Sequence, residues 1–99
     1  MSGAIEFHPE KLLTFETATA EMTRFLKMLK AHPSAAFELD LSQVEHCDSA
    51  GLALLLEVKR VCTLKQVTLS FKHFPKAVTS LATFVGVKEI LLGDENQNG

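Results

Sequence analysis

Along residues 44–60 the chain reads VEHCDSAGLALLLEVKR, and its apolar positions recur with the period of a helix. At roughly 100° per residue, Ala50, Gly51, Leu54, Leu55, Val58, Val61 and Cys62 share one side, a stripe wide enough to pack on a sheet. Asp48 stands where a helix needs an acceptor for its unpaired first-turn N–H groups, so it reads as the N-cap. Ser49 follows in the first turn, near the positive end of the helix dipole. The opposite side carries Ser49, Leu52, Ala53, Leu56, Glu57, Lys59 and Arg60. Leu52, Ala53 and Leu56 are apolar where a surface helix is normally polar. Either a neighbouring element of the same domain covers them, or they form a docking patch with a hydroxyl at its edge. Exposed apolar clusters mark partner sites, and the docking reading is preferred.

The same pattern analysis organises the rest of the chain. Residues 4–15 alternate around His8-Pro9 and predict a strand, a turn and a second strand. Residues 16–31 switch to helical spacing: Met22, Phe25, Leu26 and Leu29 form the apolar stripe, while Glu21, Arg24, Lys27 and Lys30 point away. Pro33 should end that helix near Ala31. Residues 36–41 predict a strand with Phe37, Leu39 and Leu41 on one face and Glu38 and Asp40 on the other. Residues 66–71 predict another. Pro75 suits a helix first turn, Val78, Leu81, Ala82 and Val85 give that helix its stripe, and Gly86 is a natural stop. Residues 87–92 predict a closing strand, and the polar residues 93–99 a disordered tail. The order β-β-α-β-α-β-α-β implies an α/β fold: a single mixed β-sheet of about five strands backed by α-helices. The later strands should be parallel, and the first two should form an antiparallel or mixed margin. One domain would span residues 1–92.

Composition narrows the function classes. Ninety-nine residues suffice for one core, and 46% hydrophobic with 22% charged residues is a globular balance. A net charge of −2 provides no basic field for nucleic acid. The longest apolar run, residues 52–56, is too short to span a bilayer. The start MSGAIEFHPE has no signal-peptide pattern, so a cytosolic protein is expected. Cys47 and Cys62 fit reduced thiols there.

Catalytic chemistry is hard to find. His8, His32, His46 and His73 have no metal-ligand spacing and read as solvated loop residues. The adjacency of His46 and Cys47 does not make a dyad, and Cys62 falls on the core stripe as a small hydrophobe. The glycines are scattered, without a phosphate-binding loop. No cofactor, no metal and no enzymatic activity are therefore expected. Ser49 is either a structural helix-start serine or a phosphorylation site. A phosphate would add up to two negative charges beside Asp48. The helix dipole would tolerate them, but they would charge the edge of the apolar patch and weaken docking there.

The string DLSQVEHCDSAGLALLLEVKR resembles the signature of STAS domains, in which a strand ending in Asp-Leu-Ser leads through a short loop to Asp-Ser/Thr-x-Gly at a helix start. Asp48, Ser49 and Gly51 match that motif. The resemblance runs over nearly the whole chain, including LATFVGVKEILL, which in the family forms the final helix and strand. Two branches of the family are similar. In anti-sigma-factor antagonists, the serine matched by Ser49 is phosphorylated by a partner kinase that also sequesters a sigma factor. The other branch is the small STAS subunit of the bacterial phospholipid-transporting (Mla) ABC system, the MlaB branch, which binds the cytoplasmic ATPase. There the hydroxyl matched by Ser49 matters for the contact, and GLALLLE resembles this branch more closely. The segment LLTFETAT lacks the Gly-Glu-Leu-Asp turn common to both branches, so no site is carried over from it. Cys47 stands where an apolar residue is usual.

The resemblance thus implies a non-catalytic subunit that supports an ABC ATPase in maintaining outer-membrane lipid asymmetry. It would be cytoplasmic and peripheral to the inner membrane through its partner. Leu52, Ala53 and Leu56 would supply apolar contact, Ser49 a hydrogen bond, and Lys59 or Arg60 a polar rim. The alternative is an anti-sigma-factor antagonist, with an anti-sigma factor or serine kinase as partner, regulated at Ser49.

Overall fold

Strict alternation in FELD lets one strand bury Phe37 and Leu39 while Glu38 and Asp40 stay on the other face. A computed structural model, describing the backbone of residues 3–96 and the side chains of residues 3–92, places this strand, β3 (Phe37–Asp40), centrally. It lies between β1 (Ile5–Phe7) and β5 (Leu69–Lys72), both parallel to it. The register sets Phe7 beside Leu39 and Leu39 beside Phe71 on the inner face. Glu6, Glu38, Ser70 and the pair Asp40–Lys72 share the outer face, where all are exposed or half-buried. Parallel strands covered on both faces read as unbroken apolar runs; these alternate because only one face joins the core.

Helix α1 (Ala18–Ala31) packs Phe25 between Phe7 and Phe37 in edge-on contacts at 5.4 and 5.6 Å. That stacking rotates its buried stripe. Glu21, Phe25 and Leu29 go inside, whereas Leu26 is exposed. Glu21 tolerates burial because Arg24 Nη2 donates to its Oε1 at 2.7 Å. The same guanidinium lies 4.3 Å above the Phe7 ring and donates to the His8 carbonyl at 3.0 Å.

Three expectations need correction. The strands do not form a single mixed sheet of about five: β2 (Leu12–Leu13) and β4 (His46–Cys47) make a separate two-stranded pair, and every described pairing is parallel. After β1, buried Pro9 has no N–H to continue a ladder. The chain leaves the sheet, and the Lys11 carbonyl accepts from Glu45 and His46 at 2.8 and 3.1 Å. The closing strand is also absent. After α2 (Ser49–Leu64) and α3 (Lys76–Val85), Gly86 turns the chain in the left-handed region at φ 85°, and Lys88–Asn96 forms α4. Lys, Glu and Leu favour helix over strand, and a short apolar run is ambiguous by pattern. Burial of Leu91 in the common core, with α4 packed on α2 and α3, settles it. This helix runs into the segment expected as a polar tail, of which residues 97–99 lie outside the described residues. Glu21, third, is inside rather than out.

Arg24→Met should leave the Glu21 carboxylate buried without its partner and lower stability by about 1–3 kcal/mol in urea unfolding. The double variant Glu21→Met/Arg24→Met should be more stable than the single one.

Candidate partner-docking face

Asp48 joins two elements. Its Oδ1 accepts from the Gly51 N–H at 3.0 Å, capping α2, and its Oδ2 accepts from the Phe15 N–H at 3.0 Å, holding the chain that leaves β2. These bonds, Phe15 foremost and Gly51 next, hold the carboxyl below its ordinary range. The Asp48 N–H in turn donates to the Leu13 carbonyl at 3.3 Å. Gly51 faces that carbonyl so closely that a Cβ there would overlap its oxygen and stand 2.6 Å from its carbon. Two of the three motif residues are thus explained by packing. Ser49 is not: it is exposed, and its hydroxyl makes no hydrogen bond among the described residues.

The thiols are weak acids in this setting. Burial, aided by the Asp48 charge, pushes Cys47 up to about 11, and burial pushes Cys62 to about 11. Both are protonated near neutral pH and therefore poor nucleophiles. Cys47 packs against the core as expected, its Sγ 3.5 Å from the Asp48 carbonyl.

The outward face of α2 departs from the expected one at Leu52, which is only 3% exposed and belongs to the core. The correction has a simple cause. α1, α3 and α4 pack on α2, and β2 and β4 press on its N-terminal end, so more of its circumference is covered than one stripe. Ala53 is exposed, and Leu56 is half-buried against the core. Lys59 is half-buried; Arg60 is exposed and held along the helix by Glu57, with Nε and Nη2 at 2.9 and 2.6 Å from the carboxylate oxygens.

Beyond them lies an apolar groove of about 330 Å3, lined by Leu56, Lys59, Arg60, Thr63, Leu64 and Ile90. Leu64 is 68% and Ile90 59% exposed. Sequence reasoning stopped at Arg60, although Leu64 extends the same helical face by one more turn. Ile90 was hidden because its segment was expected as a strand. Phe15, 78% exposed, adds an apolar ring on the residue bonded to Asp48.

The family model described as "Mlab, STAS domain" matches residues 12–93, from β2 into α4 and across the whole motif. The chain belongs to the STAS domain family. Comparison with curated proteins returns no match. STAS domains are in general non-catalytic binding domains that mediate protein–protein interactions. Among the described residues of this STAS domain, no helix is long and apolar enough to cross a membrane.

Gly51→Ala should force β2 away from α2 and cost about 3 kcal/mol or more in urea unfolding, because the obstacle is backbone. The Asp48 carboxylate, held below its unfolded value, should stabilise the fold above about pH 4 and lose that contribution as pH falls through the native value. Asp48→Asn should therefore lower the Tm at pH 7 and flatten the fall in Tm between about pH 5 and pH 2.

Proposed function

We propose that this STAS domain is a non-catalytic docking subunit of a phospholipid-transporting ABC system, seated on its cytoplasmic ATPase through the outer face of α2. One observation carries the reading. Ser49, Ala53, Leu56, Arg60 and Leu64 fall on a single helical face about 22 Å long, with a free hydroxyl at one end and an apolar groove at the other. Exposed apolar surface rimmed by cations fits a protein partner better than a small substrate. The family description points to the MlaB branch. The partner would hold the subunit at the cytoplasmic side of the inner membrane, and its effect on lipid asymmetry would be indirect, through the ATPase.

A second reading draws on Ser49 alone. An exposed, unbonded hydroxyl in the first turn of a helix is accessible to a kinase, and the helix dipole would tolerate the product. That is the arrangement an anti-sigma-factor antagonist would use.

Leu64→Glu and Ala53→Arg change exposed positions, so Tm should stay within about 2 °C while capture of the ATPase from native lysate falls at least about tenfold. Leu56→Glu should also abolish capture, but its half-buried side chain makes it the poorer probe. Undiminished capture by folded Leu64→Glu and Ala53→Arg would sink the docking face. Recovery of a serine kinase instead, with phosphate on Ser49, would establish the second reading.

A further inference from the structure

Four ligand-bearing residues from three separate segments, Glu6, His8, Asp40 and His73, gather on the outer face of the three-stranded sheet, towards the C-terminal ends of its strands. The β1–β3 register pairs Glu6 with Glu38, so the next outward positions are His8 and Asp40. His73 follows β5 with φ at 58°, a left-handed conformation that a non-glycine residue keeps only when its surroundings hold it. There its Nδ1 lies 3.1 Å from Asp40 Oδ1. The same oxygen accepts from the Ser42 N–H at 2.9 Å, and these partners, Ser42 first, lower the Asp40 carboxyl to about 2. The nearby ammonium of Lys72 is directed to Glu38 at 3.4 Å.

His8 is held from two sides. Arg24 binds its carbonyl, and its Nε2 stands 3.1 Å from Glu6 Oε1. An ionised carboxylate only accepts, so Nε2 is the donor, and in the neutral ring Nδ1 then presents a lone pair. That Nδ1 atom is covered, on a side chain 37% exposed overall, and has no hydrogen-bond partner among the described residues. It faces Asp40 Oδ2 at 3.9 Å, too far for a hydrogen bond. With the ring neutral, a lone pair facing a carboxylate oxygen is unfavourable, and either a proton on Nδ1 or a metal ion between the two groups relieves it. Two ligands of a tetrahedral ion with bonds near 2.0–2.1 Å are separated by about 3.4 Å, so closing this gap takes about half an ångström. Ligand atoms of Glu6, His8 and Asp40 already lie within 4.8 Å of one another.

We propose that His8 Nδ1 and Asp40 Oδ2 bind a divalent transition-metal ion of the zinc class, with water completing the coordination. Glu6 is the outer carboxylate that fixes the tautomer and orientation of His8, the usual companion of a metal-bound imidazole. His73 holds the far oxygen of Asp40. An imidazole–carboxylate pair selects zinc, nickel or copper over magnesium or calcium. Glu6 and His8 precede the residues matched by the family model, so half of the cluster belongs to a part of the chain that the family pattern does not cover. The ion would tie β1 to β3 on the sheet face away from the core that seats α2, leaving the docking face open.

The test is titration of the untagged, metal-stripped chain with zinc chloride by calorimetry, with magnesium chloride as control. One zinc ion per chain should bind with a Kd of about 10 μM or tighter, and saturating zinc should raise the Tm. His8→Gln should weaken binding at least about tenfold, and Glu6→Gln about tenfold, its loss being of ring orientation. His32→Ala and His46→Ala should change nothing. Because Asp40→Asn also weakens the Ser42 and His73 contacts by removing the charge that accepts them, His8→Gln is the deciding variant. No heat and no Tm shift at 1 mM zinc, or zinc binding unchanged in His8→Gln, would overturn the site and leave His8 and Asp40 an ion pair only.

Discussion

Contact between Gly51 and the Leu13 carbonyl constrains everything at the start of α2. No side chain fits between them, so the helix can approach β2 only with glycine at its third position. Asp48 then bonds to both partners of that contact, through its own N–H to Leu13 and through its carboxylate to Phe15 and Gly51. Loss of either feature would let β2 slide along α2, and the β2–β4 pair has only two residues in each strand to resist it. The direction in which α2 leaves this junction decides which of its residues reach the core and which face outward.

That constraint separates the motif into structural and available residues. Asp48 and Gly51 are consumed by the junction, while Ser49, between them, is displayed by it. A serine placed only to cap a helix would turn its hydroxyl back to a backbone N–H, and here Asp48 already fills that role. The exposed hydroxyl is therefore surplus to the fold. The same holds for Leu64 and Ile90, whose exposure adds nothing to the core and leaves a groove beside Arg60.

Legibility in the sequence followed the range of the interactions involved. The ends of α1 and α3 were readable because Pro33 and Gly86 act locally, and the face of β3 because alternation is local too. The Asp48 cap was likewise evident from neighbouring positions. Leu52 was misplaced because α1, α3, α4 and the β2–β4 pair together cover more of α2 than one stripe, which the period of α2 alone does not report. Glu21 was misplaced because its burial depends on Arg24, which lies over Phe7 and is held there by the His8 carbonyl. The last segment was ambiguous at six apolar-rich residues, and packing of Leu91 decided it. His8 and His73 were dismissed on spacing, since residues brought together by parallel strands need no short interval between them.

A consequence follows from the alternation in FELD and LSFK. If this sheet were covered on both faces, Glu38, Asp40 and Lys72 would each require a buried partner, and apolar residues would be the stable choice. Leaving one face open removes that requirement, so polar chemistry can collect on the outer face without opposing the hydrophobic core behind it. Arg24 links the two sides: its exposed guanidinium covers the ring of buried Phe7 while its hydrogen bond holds the His8 backbone at the sheet edge. The outer face of the sheet and the outer face of α2 thus lie on separate sides of one core. Substitution on either surface need not disturb the other, provided the Gly51–Leu13 junction and the Phe7–Phe25–Phe37 stack between them stay intact.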